Sequence, residues 1–321
     1  MPRVFVAGKL HDAGFEVLKL APDITVDYVE TIDEHSMQPF LRDANAILLR
    51  TQPFSASSIA KCRRLRIVSR HGVGYDSVDV DALNDRQVPL AIVGDVNAQT
   101  VAEHAMLLLM SASRRLLQYD AATRPGGDWS FRNSLAAREI SGKSLLIIGL
   151  GRIGRNLARM AAGFDISVSA YDPFMKASPP DGVTMVDDLH TALSDADLIS
   201  LHVPKTNAPL IGVPEIAVMK PTAVIVNTAR GGTIDEAALA IALKAGRIFG
   251  AGLDVFDDEP LTIANRLTAS DHAILTPHSA SMTVECAERM AIAAAQNIVD
   301  FFAGRLDRTL VVNADKIELS Y

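Results

Sequence analysis

Three residues of the kinds that move protons and hold anions follow apolar runs in this chain: Arg230 in VNTARGG, Glu259 in AGLDVFDDEP and His278 in TPHSAS. An imidazole titrates near neutral pH and can give or take a proton in either direction of a reaction. A carboxylate set against it favours the imidazolium form and fixes the ring. A guanidinium grips a carboxylate through two parallel hydrogen bonds and polarises a nearby carbonyl oxygen. Taken singly, each also has an ordinary reading as a strand-end or turn residue. Their joint occurrence, downstream of a glycine-rich turn, favours chemistry.

That turn is LLIIGLGRIG, residues 145–154. Gly149 permits a tight turn, Gly151 lets the backbone approach a pyrophosphate, and Gly154 lets a helix pack closely on the strand before it. The helix start, Arg152 and Ile153, then faces the phosphates. Glycine triplets also occur in unrelated turns and in methyltransferases, so context must decide. The next strand, SVSAYD, ends at Asp172, close to the spacing of about 20 residues at which a carboxylate meets the adenosine ribose. A carboxylate there repels a 2′-phosphate, so the expected cofactor is NAD rather than NADP, with Lys176 softening the discrimination. A methyltransferase would leave Arg230, Glu259 and His278 without a task.

The elements that must hold these groups alternate as strand and helix. RVFVAG, TVDYVE, AILLR, RIVSR and PLAIV form a first series; SLLIIG, SVSAYD, LISLHV, AVIVNTA, FGAGLDV and HAILT form a second. Continuous apolar runs of this sort belong to parallel strands covered on both faces, which is an α/β fold. Between the series, residues 100–115 predict a helix with Thr100 as cap and Glu103 completing a capping box. A last helix is expected from Met282 to Phe302. The tail LDRTLVVNADKI carries no further strand of the second series and is expected to return to the first domain.

A chain of 321 residues exceeds the usual single core, so two domains with a cleft between them are expected. Net charge is −7 without long basic runs, which argues against nucleic acid and anionic membranes as partners. The basic cluster Lys61, Arg63, Arg64 and Arg66 reads as a solvated helix end. Cys62 and Cys286 lack disulfide or metal-ligand spacing, so no metal is expected and a reducing compartment fits. The start MPRVFVAGKL passes straight into a strand pattern, and the most apolar helix carries Glu103 and His104. No export signal, no membrane span and a cytoplasmic location are the expectations.

HGVGYDSVD, VAEHAM, LLIIGLGRIG, LHVPKT, VNTARGG, AGLDVFDDEP and TPHSAS, in this order and over nearly the full length, resemble the D-isomer-specific 2-hydroxyacid dehydrogenases. The resemblance implies a Rossmann-type doubly wound parallel sheet, residues 99–287, inserted into a flavodoxin-like substrate domain, residues 1–98 and 288–321. It implies Arg230, Glu259 and His278 as the catalytic set of an NAD-dependent oxidoreductase acting on a small-molecule 2-hydroxy or 2-oxo acid, and a homodimer. The related formate dehydrogenases use glutamine where this chain has Glu259. Further cofactor contacts implied are Val203, Pro204, Thr228, Ala229, Arg230, His278 and, near the carboxamide, Asp254. His202 and His104 read as structural, the latter as packing or interface.

Gly72, Val73 and Gly74 can offer backbone N–H groups to a carboxylate, as in the family's substrate loop. Arg50 and Arg70 end neighbouring strand candidates, where ligands of open α/β sheets gather. Phosphoglycerate dehydrogenases resemble the chain at these arginines, at YDP and in VVNADKI, so 3-phosphoglycerate is the expected substrate, with glyoxylate or hydroxypyruvate reduction as the alternative. Pairing of both arginines with acidic neighbours is the plain structural reading. The C-terminal regulatory domain of serine-sensitive relatives has no counterpart after Tyr321, so serine feedback by that route is not expected. Ser279 stands where the family more often has an apolar residue, which bears on the shape of the nicotinamide pocket. A non-enzymatic NADH-responsive scaffold is a further alternative, because corepressors resembling this family keep the triad.

Overall fold

Apolar runs of four or five residues, too short for helices and flanked by polar turns, form strands whose side chains alternate between two helix-covered faces. The computed structural model describes residues 1–31, 33–176 and 178–319. In chain order the elements are β1 (Arg3–Ala7), α1 (Asp12–Leu20), β2 (Thr25–Val29), α2 (Glu34–Leu41), β3 (Ala46–Leu49), α3 (Ala56–Lys61), β4 (Ile67–Arg70), α4 (Val80–Asn84) and β5 (Leu90–Ala91). There follow α5 (Ala98–Ser113), α6 (Leu116–Thr123), β6 (Ser144–Ile148), α7 (Arg152–Ala162), β7 (Ser167–Tyr171), β8 (Val183–Met185), α8 (Leu189–Asp195) and β9 (Leu198–Leu201). The last are α9 (Val213–Val218), β10 (Val224–Asn227), α10 (Glu236–Lys244), β11 (Gly250–Leu253), β12 (Ala273–Leu275) and α11 (Val284–Phe302).

The chain divides into two compact units, Met1–Asn97 with Met282–Tyr321, and Ala98–Ser281. The first holds a parallel sheet of order β2-β1-β3-β4-β5, the flavodoxin-like arrangement. Val4, Val6, Leu48 and Ile67 point to one face, against Met290, Ala294 and Ile298 of α11. Phe5, Ile47, Leu49 and Val68 point to the other, against Met37, Leu41, Ile59 and Leu83. The tail returns here: Val311 bridges Ala91 in antiparallel sense, and Val312 N–H donates to the Leu90 carbonyl at 2.8 Å.

The second unit holds a parallel sheet of order β12-β11-β10-β9-β6-β7-β8, the Rossmann order extended by a seventh strand. α5 and α7 cover one face through Ala105, Leu108, Leu109 and Leu157, packed on Leu145, Ile147 and Val226. α8, α9 and α10 cover the other through Leu193, Ile216, Leu239 and Leu243. Gly252 is needed for this packing, since a Cβ there would lie 2.7 Å from Leu108 Cβ.

Four expectations need adjustment. α5 begins at Ala98, so Thr100 is a buried residue of the first turn rather than its cap, and Glu103 accepts from the Gln99 side chain. Burial of Ala98, Val101 and Ala102 extends the helix past the capping signal. β8 adds a strand that no apolar run marks, because it is a three-residue edge strand with no fully buried side chain. α11 starts at Val284 with Thr283 as its cap, two residues later than expected. The second crossing between units falls at Ser281 and Met282 instead of at 287, because Cys286 is already part of the first unit's core.

Candidate functional site

In a doubly wound sheet the crevice opens where strand order reverses, at the carboxyl ends of the strands. In the second unit this point lies between β6 and β9, and the glycine turn occupies it. Gly149 has φ +94°, and a Cβ there would stand 2.5 Å from the His202 carbonyl oxygen. At Gly154 a Cβ would meet the Gly149 carbonyl at 2.4 Å, so this glycine lets α7 dock on β6. Gly151 faces open space. Arg152 is exposed and Ile153 half-buried in the first turn of α7, whose free N–H groups and dipole favour an anion.

Asp172 follows β7 and sits against this turn. Its Oδ2 accepts from Leu150 N–H at 3.0 Å and its Oδ1 from Phe174 N–H at 3.1 Å. Val203 is half-buried and Pro204 exposed in the loop after β9. His202 lies beside them, its Nε2 at 2.9 Å from the Ser200 hydroxyl. Burial pushes it down to about 4, so it is a neutral structural residue.

The catalytic candidates come from loops after β10, β11 and β12. Asn227 closes the first loop: its amide donates to the Arg230 carbonyl at 2.9 Å, and its Oδ1 accepts from Ala229 N–H at 3.0 Å. Arg230 Nη1 donates to the Ala229 carbonyl at 2.6 Å. Gly231 makes the next approach possible, because a Cβ there would fall 1.9 Å from the Phe256 carbonyl oxygen. The turn bearing Arg230 therefore lies directly against the segment bearing Glu259.

Glu259 Oε1 accepts from Phe256 N–H at 3.1 Å, and its Oε2 lies 2.7 Å from His278 Nδ1. Burial pushes the Glu259 carboxyl up, but His278, the Phe256 N–H and the Arg230 charge outweigh it and hold the group below its ordinary value. The carboxylate accepts, so Nδ1 carries the proton and Nε2 is the nitrogen left for a ligand. The structure thus brings Arg230, Glu259 and His278 together. His278 itself has φ +51°, the left-handed region that a non-glycine residue occupies only when its surroundings hold it there.

Asp254 directly follows β11. It is fully buried, its Oδ1 accepting from the Thr276 hydroxyl at 2.6 Å and Ser279 N–H at 2.8 Å, and its Oδ2 from Ala280 N–H at 2.8 Å. Its carboxylate faces the His278 loop. Thr228 is also buried, and its hydroxyl has no hydrogen-bond partner among the described residues. An orphaned buried hydroxyl beside Ala229, an open approach at Gly151 and a bare helix N-terminus fit a dinucleotide. Asn227, Thr276 and His104 were not singled out from sequence as parts of the site. The available signal was a polar residue closing an apolar strand at Asn227; nothing local marks the other two.

In the first unit the reversal lies between β1 and β3. Arg50, one residue past β3, reaches across it and donates to the Lys9 carbonyl. Arg70 ends β4, is buried and donates to the His71 carbonyl at 2.7 Å. Burial, then the charges of Arg50 and Arg70, push His71 down to about 4. The Gly72 N–H is taken by the Arg70 carbonyl at 2.9 Å, whereas Val73 and Gly74 N–H donate to no acceptor among the described residues. An acidic partner for Arg50 is absent among the described residues; its hydrogen bonds run to backbone and, at 4.0 Å, to the Met282 sulfur.

A Rossmann unit with a glycine turn and a paired acid and imidazole defines a dinucleotide-binding α/β protein. The chain belongs to the D-isomer specific 2-hydroxyacid dehydrogenase family, whose NAD binding domain matches residues 106–280. The cofactor of that domain is a nicotinamide dinucleotide. The chain is 34% identical over 316 residues to a D-3-phosphoglycerate dehydrogenase of Methanocaldococcus jannaschii, covering 97% of this chain and 59% of that protein. It is 35% identical over 321 residues to a glyoxylate reductase of Korarchaeum cryptofilum, covering 97% and 96%. The crystal structure of an NADPH-dependent glyoxylate/hydroxypyruvate reductase from Sinorhizobium meliloti superposes with a TM-score of 0.84 at 27% identity, covering 99% and 100%. The chain spans under two thirds of the phosphoglycerate dehydrogenases it matches. No helix among the described residues is long and apolar enough to cross a membrane.

Proposed function

We propose that the protein is a nicotinamide-dependent oxidoreductase that interconverts a D-2-hydroxy acid and its 2-oxo acid, with NAD preferred over NADP. The observation that carries this reading is the 2.7 Å pair of His278 Nδ1 and Glu259 Oε2, which leaves His278 Nε2 to exchange a proton with the substrate oxygen. Glu259 holds the ring through this bond. Arg230 binds the substrate carboxylate through two parallel hydrogen bonds. Gly149, Gly151, Gly154, Arg152, Ile153, Asp172, Val203, Pro204, Thr228 and Ala229 would hold the dinucleotide, which supplies the hydride donor or acceptor. Asp172 favours NAD because a 2′-phosphate would approach its carboxylate.

The proposed substrate is 3-phosphoglycerate with 3-phosphohydroxypyruvate as its partner. Arg50 and Arg70 end adjacent strands, and Arg50 is held by a main-chain carbonyl and not by a carboxylate, which leaves its charge uncompensated for a phosphate. A second reading, glyoxylate or hydroxypyruvate reduction, is favoured by the similarity to the Korarchaeum reductase over 96% of that protein's length. NADH oxidation measured against phosphohydroxypyruvate, hydroxypyruvate, glyoxylate and pyruvate decides between them. The phosphorylated substrate is expected to give the highest kcat/KM, and a higher value with glyoxylate would establish the second reading.

A homodimer in the cytoplasm completes the proposal. Leu107, Leu116, Leu117, Trp129 and Leu135 are all at least half exposed on one stretch, with no buried residue in α6 or in the turn Trp129–Ser134. So much apolar surface on one segment calls for a covering partner. Light scattering should give twice the chain mass, and Leu117→Asp should give the monomer.

A further inference from the structure

His104 lies on α5, away from the loops that carry the catalytic candidates, yet its Nε2 stands 3.0 Å from the Thr276 hydroxyl and 3.6 Å from Asp254 Oδ1. The close packing of α5 on β11 makes this reach possible. Gly252 and Asp254 point to the same side of the strand, and Leu108, one helical turn after His104, sits where a Gly252 side chain would be.

The hydrogen bonds are directional. Thr276 has one hydroxyl proton, and at 2.6 Å from a buried carboxylate it is committed to Asp254 Oδ1. The contact between His104 and Thr276 must then run the other way, with Nε2–H donating to the hydroxyl oxygen. This fixes the tautomer of His104 and turns the hydroxyl so that it cannot leave Asp254. Asp254 in turn accepts the N–H groups of Ser279 and Ala280, the two residues after His278. His278 N–H donates to the Thr276 carbonyl at 3.0 Å. The left-handed backbone of His278 is thus held on both sides by groups that the His104 contact orients.

We infer that His104 is a positioning residue: by donating from Nε2 to Thr276 it locks the Thr276–Asp254 clamp that holds the His278 loop in its reactive geometry. This rests on the proposed role of His278 in proton exchange. It differs from a packing role because the donor is required, and not only the volume.

The test uses the full-length protein and the variants His104→Leu, His104→Gln and Thr276→Val, with NADH binding by fluorescence confirming that each is folded. Amide hydrogen exchange at Ser279 and Ala280 is read with steady-state kinetics. His104→Leu and Thr276→Val are expected to speed exchange at both amides. Each should lower kcat by about tenfold to a hundredfold, the scale of a misplaced catalytic group, with KM for NADH little changed. His104→Gln keeps a side-chain N–H donor and should recover most of the protection and turnover. Unchanged exchange in His104→Leu, or a Gln variant no better than the Leu variant, would overturn the inference. If the wild-type protein turns over none of the 2-oxo acids, the proposed function fails, and the exchange measurement alone decides on the clamp.

Discussion

The two parallel sheets reverse strand order in the same way but fill the reversal point with opposite materials. Between β6 and β9 the chain turns on glycine backbone: Gly149 packs on the His202 carbonyl, and Gly151 leaves an open approach to the N-terminus of α7. Between β1 and β3 the same place is crossed by a side-chain cation, Arg50, tied to the Lys9 carbonyl. Both arrangements attract anions, one by dipoles that need close approach and one by charge that acts at the end of a flexible stem. Topology therefore places the two openings alike, and the residues at each reversal set its chemistry.

The units also differ in how they hold charge. In the second, Glu259 and Asp254 are fixed by side-chain and main-chain donors, which hold the His278 ring and its loop in a rigid frame. His278→Ala should lower kcat by about 10²- to 10⁴-fold while NADH affinity, measured by fluorescence, stays within a few-fold. Comparable loss of NADH binding would mean that the residue shapes the pocket instead of moving a proton.

Acid should expose a second difference. His71, pushed down to about 4 in the folded state, has an ordinary value near 6.5 when unfolded. Between those pH values the unfolded chain binds more protons, so stability is full above pH 6.5 and falls as pH drops towards 4. A shift of this size corresponds to on the order of 3 kcal/mol once complete. His202 acts in the same direction in the other unit, through burial alone. Thermal melts from pH 7 to 4 should show the decline, and His71→Gln should flatten it more at low salt than His202→Gln, because only His71 faces two cations.

Gly149→Ala tests the backbone side of the comparison. Its Cβ would meet a carbonyl oxygen at 2.5 Å from a positive φ, and the expected loss is roughly 2 kcal/mol of stability, read as a lower melting temperature together with weakened NADH binding. Arg50→Ala and Arg70→Ala test the cation side. Each should raise KM for phosphohydroxypyruvate by about tenfold and leave glyoxylate and hydroxypyruvate nearly untouched, the scale of one charge-assisted hydrogen bond. Equal losses across the substrates would assign both arginines to structure.

Much of the fold was legible because its signals are local. Parallel strands covered on both faces favour uninterrupted apolar runs, so β3, β6 and β10 stand out, while the half-exposed β8 does not. The tight turn at Gly149, with φ +94°, and the close packing of Gly154 on the Gly149 carbonyl were legible because both answer to backbone geometry within a few residues. Asp254 was not legible in the same way. Its bonds to Ser279 and Ala280 N–H exist only once the loop after β12 folds over the end of β11.

The sequence by itself determined the layered α/β architecture and the glycine turn, since periodicity and short spacings encode these directly, and it marked Arg230, Glu259 and His278 as candidates. Only the tertiary structure decided how these groups are held: His104 meets Thr276 across 172 positions, and Arg50 meets Lys9 across 41. Such contacts depend on which strands become neighbours and how closely helices dock, and closeness in space between distant residues leaves no mark on the residues that lie between them.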